Sequence, residues 1–363
     1  MTLRQIWRRL HLWIGLAAGA VFAMLGLTGS AMVYQEEILD LLYPRIMHVA
    51  PGEALAPPSH FLATAQQAGG RVAYLRYPET ADRPVQATLD MPGGGRQTVL
   101  IDPYAATLIA PLPGQQLFAF LLDLHSRLLL ATPGREILGW VGLTLAFSAI
   151  SGAILWWPQL RWRAWKQALT MKWRGMSWYR RSFDLHKVGG ATMILPLLLL
   201  ALSGSAICFR DALLPAMTAL GGIRPLGAAA AARPAEIGTA RSVDELLAEA
   251  QRLIPGARPV FISPPTRPGG TTRIRLRQPD EIHQNGRSYV LFDATGRVLD
   301  LQRVSELPAA NLVIDQLPYP LHTGYLFGAV GRLIVFISGL LPALLFATGL
   351  YLWLRSRPFR RRA

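Results

Sequence analysis

Four long apolar stretches divide the chain and predict membrane helices at about residues 10–34, 137–157, 187–210 and 333–354. Each approaches the ~20 apolar residues with which an α-helix crosses ~30 Å of hydrocarbon. Polar stretches at about residues 40–120 and 215–318 follow the first and the third helix. The chain therefore runs helix, polar module, helix, and then repeats that order after a short loop.

Each polar stretch has the periodicity of a small α+β module. The second contains an amphipathic helix at 242–253, and alternating apolar positions predict strands at about 258–262, 271–277, 287–293 and 297–304. The first contains a helix at 59–68 and strands near 71–77, 84–90, 97–101 and 107–111. Each module is too small to hold a deep catalytic pocket by itself.

These elements predict an α-helical membrane protein with four transmembrane helices in two parallel helix–module–helix repeats and two small α+β extracytoplasmic domains. Prolines and a glycine before the second and fourth helices, Pro133-Gly134 and Pro318, mark interfacial segments there. The predicted segments are transmembrane helix one at 1–36, the first module at 37–115, an interfacial segment with helix two at 116–158, a basic loop at 159–184, helix three at 185–212, the second module at 213–315, and an interfacial segment with helix four and a basic tail at 316–363.

Composition and charge orient this arrangement. Hydrophobic residues make up 51% of the 363 residues, the net charge is +15, and the mean hydropathy is +0.27. Basic residues concentrate in residues 1–10, 158–187 and 355–363, whereas the long polar stretches are close to neutral. Because Lys and Arg collect in cytoplasmic flanks, both termini and the basic loop are predicted to be cytoplasmic and the modules to face outward. This topology explains the charge without a nucleic-acid partner.

The two halves of the chain are repeats of each other. Aligned without gaps, residues 10–36 match residues 185–211, and residues 124–156 match residues 321–353. The positions that the repeat keeps include pairs of histidine, glycine and arginine: His11 with His186, Gly15 with Gly190, Gly29 with Gly204, His125 with His322, and Arg135 with Arg332. Since both halves begin and end on the same side, a pseudo-two-fold axis along the membrane normal should relate them.

Such an axis brings the inner histidines, His11 and His186, face to face at one depth. Gly15 and Gly190 follow them by one helical turn on the same face, and their missing side chains open a slot beside each imidazole. A flat group with two axial histidines, such as haem, requires that slot. The single cysteine, Cys208, excludes covalent haem attachment through a Cys-x-x-Cys-His motif.

A second flat group is predicted at the outer surface between His125 and His322. Gly29 and Gly204 lie on the face of the inner histidines but about 27 Å farther along the helix, where this group needs room. Arg135 and Arg332, shortly after the outer histidines, are candidate partners for its propionates.

Structural explanations compete with this interpretation. A histidine at a membrane interface often caps or anchors a helix, and glycines at spacings such as Gly15–Gly19 also serve close helix packing. Neither role requires histidine and glycine to keep the same spacing in both halves. His48, His60 and His283 have no partners in the repeat and are not predicted as site residues.

The motifs resemble the PepSY-associated membrane-helix family, the group that includes iron-regulated PiuB-like proteins and FoxB-type ferric-siderophore reductases. The matching residues are Arg-Arg-Leu-His11-x-x-x-Gly15 leading to Leu-Thr28-Gly29, Asp-Leu-His186-x-x-x-Gly190 leading to Leu-Ser203-Gly204, Leu-His322-Thr-Gly324 followed by Gly331-Arg332 and Thr348-Gly349-x-x-x-Trp353, and the turns after Val-Leu-Phe-Asp293 and Val-Leu-Ile-Asp102. The sequence departs from the family pattern at Ala105-Ala106 and at Ser126-Arg127.

The resemblance implies a multi-pass protein of the bacterial inner membrane with two periplasmic PepSY-like domains and two non-covalent b-type haems. The implied haem-iron ligands are His11, His186, His125 and His322. The expected activity is that of a haem-dependent oxidoreductase: electrons pass from a cytoplasmic donor or quinol across the bilayer to a ferric siderophore, and iron leaves as Fe(II). The alternatives are a non-enzymatic sensor that binds partners through the PepSY-like modules, and a component of a siderophore transporter.

Overall fold

The computed structural model describes residues 1–171, 175–219, 240–267 and 269–356. Its helices are α1 (Leu3–Val33), α2 (Gln35–Leu42), α3 (Pro44–Met47), α4 (Pro58–Gln66), α5 (Gln115–Arg127), α6 (Ala131–Trp156), α7 (Trp162–Ala168), α8 (Trp178–Thr192), α9 (Ile194–Cys208), α10 (Arg210–Ala219), α11 (Val243–Leu253), α12 (Ala309–Asn311), α13 (Pro318–Thr323) and α14 (Gly328–Ser356). The strands are β1 (Arg71–Arg76), β2 (Val85–Asp90), β3 (Arg96–Ile101), β4 (Leu108–Pro111), β5 (Arg258–Ser263), β6 (Thr272–Arg277), β7 (Ser288–Phe292) and β8 (Val298–Gln302). Several residues of the charge argument, namely Lys172, Arg174 and the arginines beyond Ser356, lie outside the described residues.

The chain forms two compact units. The helical unit comprises Met1–Tyr34, Phe118–Leu213 and Pro318–Ala363, and the sheet unit comprises Gln35–Leu117 and Leu214–Leu317. Each unit takes segments from both halves of the sequence repeat. The repeated halves are therefore interleaved in the fold rather than stacked as separate domains.

The helical unit has the apolar helices of a membrane protein. Across the described ranges, three helical stretches are long and apolar enough to cross a bilayer: α1, α6 and Tyr325–Ser356, which includes α14. The pair α8 and α9 makes a fourth candidate span, but it is bent by 62° at a break. The helix starts also differ from the predictions, since α6 begins at Ala131 and already includes Pro133 in its first turn. Proline is tolerated there because the first helical N–H groups have no intrahelical acceptor.

The break between α8 and α9 has a local cause. Met193 leaves helical geometry with φ −109° and ψ 13°, and Pro196 lies in the first turn of α9. A proline ring conflicts with the carbonyl four residues earlier, which here belongs to Thr192, and it offers no N–H to that carbonyl. The matching position in α1 is Val21, and α1 continues without interruption.

Small residues let helices from different halves approach closely. In one contact, Gly26 on α1 meets the backbone of Gly339 on α14, and Ser30 Oγ donates to the Phe336 carbonyl at 2.8 Å. The repeat-related contact joins α6 and α9, where Ser205 Oγ donates to the Gly139 carbonyl at 2.9 Å. Apolar association in lipid gives little driving force by itself, so close packing and buried hydroxyl bonds join these helices.

A single antiparallel sheet organises the sheet unit. Its eight strands follow the order β4-β3-β2-β1-β5-β6-β7-β8. The two halves meet where β1 pairs with β5, with Leu75 opposite Ile262 and Arg76 opposite Phe261. Buried side chains from both halves, including Phe61 of α4 and Leu246 of α11, form one hydrophobic core against the sheet.

The sequence analysis located the eight strands and the helices α4 and α11 of the modules, but not α2, α3 or α12 and not the association of the modules. It predicted two small α+β domains, whereas the structure joins both modules into one sheet with a hydrophobic core that both share. The reason is that β1 and β5 are both edge strands of a four-stranded module, and pairing them satisfies backbone groups that each module alone leaves open. Helix α11 begins as predicted, because Ser242 and Glu245 form a capping box.

Candidate functional site

The structure brings the four predicted histidines together in two pairs within the helical unit. His11 on α1 and His186 on α8 have ring centroids 6.2 Å apart and an interplanar angle of 85°. His125 on α5 and His322 on α13 have centroids 6.1 Å apart and an angle of 53°. Each pair combines one histidine from each half of the repeat, as the sequence analysis predicted.

The imidazole Nδ1 of each histidine is bonded to a neighbouring helix. For three of them the partners are a serine or threonine hydroxyl and the backbone carbonyl three residues before it. His125 Nδ1 lies 3.1 Å from Thr28 Oγ1 and 2.9 Å from the Leu25 carbonyl, His186 Nδ1 lies 3.1 Å from Thr348 Oγ1 and 3.0 Å from the Leu345 carbonyl, and His322 Nδ1 lies 3.1 Å from Ser203 Oγ and from the Leu200 carbonyl. His11 Nδ1 lies 2.9 Å from Ser151 Oγ and is bonded to the Ser148 backbone.

These bonds select one tautomer. A backbone carbonyl can only accept, so Nδ1 carries the hydrogen and donates it. Nε2 is then left with its lone pair. Among the described residues, no hydrogen bond uses Nε2 of any of the four histidines. This is the arrangement in which a histidine binds a metal, because the second-shell bond at one nitrogen orients the ring and makes the other nitrogen more basic.

A glycine lies beneath each imidazole. A Cβ added at Gly29 would lie 2.9 Å from His125 Cε1, and one added at Gly204 would lie 3.0 Å from His322 Cε1. A Cβ added at Gly152 or Gly349 would lie 3.2 Å from Cε1 of His11 or His186, respectively. Each glycine directly follows the serine or threonine that meets the same ring. The four dipeptides Thr28-Gly29, Ser151-Gly152, Ser203-Gly204 and Thr348-Gly349 therefore act as docking positions for imidazole, and we call them the docking dipeptides.

The docking dipeptides change the role of two predicted site residues. Gly29 and Gly204 were expected to make room for a flat group, but the nearest atoms above them belong to His125 and His322. The sequence analysis also overlooked the hydroxyl beside each glycine. A signal was present, since one such dipeptide occurs in each of the four predicted membrane helices at positions that the repeat conserves.

Gly15 and Gly190 differ from the docking glycines. A Cβ added at Gly15 meets no atom within 4 Å, and one added at Gly190 meets only Leu345 Cδ2 at 3.8 Å. Space therefore remains beside the first histidine pair on the helix face where the slot was predicted.

The two pairs lie at opposite ends of α1. His11 is in this helix, and Thr28 of the same unbroken helix contacts His125. At 1.5 Å per residue, the 17-residue interval between His11 and Thr28 corresponds to about 25 Å. That length is close to the thickness of the hydrocarbon core, ~30 Å.

The ring separation within each pair fits two axial imidazoles on one metal ion. A metal–imidazole nitrogen bond of about 2 Å and a further distance of about 1 Å to the ring centroid predict centroids roughly 6 Å apart. The observed distances of 6.2 and 6.1 Å agree with this value. Over the described residues, no group of three or more His, Cys, Asp or Glu side chains could hold a metal ion. Each pair offers two neutral imidazole donors, and this donor set fits a metal held by two histidines, as in a bis-histidine haem.

Arg135 and Arg332, the predicted propionate partners, are hydrogen-bonded within the protein. Arg135 Nη2 donates to the Ile207 carbonyl near the end of α9 at 2.7 Å, and Arg332 Nη2 donates to the Val33 carbonyl, the last of α1, at 2.6 Å. The Arg332 guanidinium also lies over the rings of Tyr34 and Tyr325 at 4.9 and 5.4 Å. Each arginine satisfies a helix-end carbonyl of the opposite half.

The histidines without repeat partners lie in the sheet unit. His48 Nδ1 is 2.9 Å from Asp82 Oδ2, and His60 is exposed. His283 is buried, and burial together with Arg287, Arg275 and Arg277 lowers its pKa to about 3. It is therefore neutral at physiological pH.

Comparison with known families gives one match that spans most of the chain. The family model described as PepSY-associated TM region matches residues 8–356. The match includes all four histidines and the docking dipeptides. No curated protein gives a match to the chain.

Replacing Arg332 by Gln should lower the free energy of unfolding in detergent by about 1–3 kcal/mol, because a charge-assisted bond to the Val33 carbonyl is lost. Arg127→Gln is the control, since its ion pair with Asp123 is exposed and such pairs contribute about 0–1 kcal/mol. Denaturation followed by circular dichroism measures both. An equal loss in the two variants would contradict the structural role of Arg332.

Proposed function

The chain belongs to the PepSY-associated TM family, and on that basis we propose that it is a di-haem membrane reductase. In this proposal it passes electrons across the bilayer to a ferric siderophore and iron leaves as Fe(II). The observation that carries the proposal is the presence of two histidine pairs, with centroids 6.2 and 6.1 Å apart, at opposite ends of α1.

The residues proposed to hold the haems are the four histidines. His11 and His186 would hold the first group and His125 and His322 the second. The docking dipeptides keep Nδ1–H engaged with a helix and leave Nε2 for the iron. When bound, haem supplies one-electron chemistry at its iron. A haem held by both histidines of a pair would favour electron transfer over oxygen activation.

The charge distribution supports an orientation of the helical unit in the membrane. Arg4, Arg8 and Arg9 precede His11 in the sequence, and Arg180 and Arg181 precede His186. By the positive-inside rule this end of the helical unit would face the cytoplasm of a bacterial inner membrane. A cytoplasmic donor or quinol would then serve the His11/His186 pair. The His125/His322 pair and the sheet unit would lie on the periplasmic side.

The substrate part of the proposal rests on the family resemblance. A siderophore binds Fe(III) through hard oxygen donors, and one electron from the donor converts one Fe(III) to Fe(II). The larger and less highly charged ion is held less tightly by such donors, so reduction releases the metal. The protein provides the electron path, and the chelate provides the acceptor.

His186→Ala should remove one of the two haems and leave the other, because the remaining pair has its own docking dipeptides. The pyridine haemochrome assay gives haem per chain, and the reduced absorption spectrum reports both sites. His60→Ala is the matched control, since His60 is an exposed histidine of the sheet unit. Purified protein without any reducible haem absorbance would instead favour a non-enzymatic sensor or a transporter component.

Gly204→Ala should lower haem content toward about one per chain, because the added methyl group would displace His322. Gly189→Ala is a matched control in the neighbouring helix α8. Its Cβ would meet Leu341 Cδ1 at 3.2 Å, a comparable crowding against a flexible apolar side chain. Haem retained in Gly204→Ala, or lost equally in Gly189→Ala, would contradict the docking role.

Dithionite-reduced protein, freed of excess reductant under anaerobic conditions, should be reoxidised by a ferric hydroxamate siderophore. Stopped-flow absorbance follows the haem, and a ferrous-specific chelator traps the released iron. The gallium(III) form of the same siderophore is the control, since it has the same shape and cannot accept an electron. If a panel of ferric chelates leaves the haem reduced, the reductase activity is wrong while the haem assignment can still hold.

A further inference from the structure

The two faces of the sheet differ in character. On one face, side chains such as Ile262, Ile274 and Leu276 pack in the hydrophobic core with α4 and α11. Successive strand residues point to opposite faces. The alternate positions on β5 and β6, including Phe261, Ser263, Arg273 and Arg275, therefore belong to the other face. That face combines aromatic rings with arginines.

A surface cavity of about 220 Å³ lies on this second face. It is lined by Tyr74, Phe261, Ser263, Arg273 and Arg275. All five residues belong to strands of the sheet unit, so the cavity has a rigid floor. A cavity of about 150 Å³ is large enough for a benzene molecule. The volume here suits a single aromatic ring with a small polar substituent.

The arginines of the cavity make no direct contact with a carboxylate of the described residues. Within the described part of the chain, neither Arg273 nor Arg275 forms an ion pair or a hydrogen bond with a carboxylate. Glu281 is occupied elsewhere, because it accepts from Arg287 N at 2.6 Å and from Ser288 Oγ at 2.5 Å. Burial and the neighbouring charges of Arg287 and Arg273 lower the pKa of Arg275 to about 10, although the charge of Glu281 acts in the opposite direction. An anion in the cavity would compensate this positive charge.

Aromatic rings hold the two guanidinium groups in place. Arg275 Cζ lies 5.3 Å from the centroid of Phe261, and Arg273 Cζ lies 5.0 Å from that of Tyr289. Tyr74 meets Phe261 edge to face with centroids 5.7 Å apart. Stacked guanidinium groups keep their N–H donors in the ring plane and available to a planar carboxylate. The exposed ring surfaces can take a further ring at the same time.

We propose that this cavity is a binding site for an aromatic carboxylate. The carboxylate would accept hydrogen bonds from Arg273 and Arg275, and the ring would pack against Tyr74 and Phe261. The site lies wholly within the sheet unit and involves none of the four paired histidines. Binding at this site therefore does not depend on the proposed haems.

Benzoate is the test ligand, added to the full-length protein in detergent and followed by isothermal titration calorimetry. We expect saturable binding of benzoate that weakens as salt is raised. Benzamide keeps the ring without the charge, and cyclohexanecarboxylate keeps the charge without the aromatic face. Each should bind at least about tenfold more weakly than benzoate. No saturable binding of benzoate, or equal binding of either analogue, would overturn the proposal.

Arg275→Gln should weaken benzoate binding by about tenfold or more, since a charge-assisted bond is lost. Arg273→Gln, at the exposed edge of the cavity, provides a second variant with little effect on the core. Arg71→Gln is the matched control, because Arg71 lies on β1 of the same sheet and is paired with Asp90 at 2.5 Å. Unchanged binding in both cavity variants, or equal weakening in Arg71→Gln, would refute the assignment to this cavity.

Discussion

The helical unit depends on one type of hydrogen bond, which each of the four paired histidines makes. In each case the imidazole Nδ1–H donates to a neighbouring helix at a docking dipeptide. A polar N–H without an acceptor in apolar surroundings costs about 1–3 kcal/mol. A helix can provide the acceptor because each backbone carbonyl has a second lone pair. The glycine lets the ring come close enough, and the hydroxyl completes the bond. Each histidine is thus fixed in orientation and in tautomer by backbone that is already folded.

The distance between paired histidines has a different origin. Each histidine is docked on a helix of its own half, as His125 is on α1 and His322 on α9. The separation of two rings is therefore set by how the halves pack together. Small residues at Gly26 and Gly339, and the bond from Ser205 to Gly139, hold those helices in close contact. Arg135 is bonded to the end of α9, and Arg332 is bonded to the end of α1, so each bond joins the two halves. The geometry of each histidine pair is consequently a property of helix packing.

The sheet unit shows the same duplication with a different result. Its halves join by pairing β1 with β5, so that two four-stranded modules become one eight-stranded sheet. One face is covered by α4 and α11 and forms the core. The other face carries arginines and aromatic rings, and two of its arginines, Arg273 and Arg275, line a surface cavity with Tyr74 and Phe261.

The sequence by itself determined the membrane character, the alternation of helices and modules, and the pairing of His11 with His186 and of His125 with His322. These features follow from local periodicity, from the length of apolar runs and from a repeat that needs no coordinates. Only the tertiary structure decided what lies above Gly29 and Gly204, because a glycine in a sequence marks a missing side chain without saying which neighbour uses the space. The joining of β1 to β5 and the clustering of Arg273 and Arg275 with Tyr74 and Phe261 likewise arise from contacts between residues far apart in the chain. Such contacts depend on how the chain packs in three dimensions, and the periodicity of the sequence does not specify that packing.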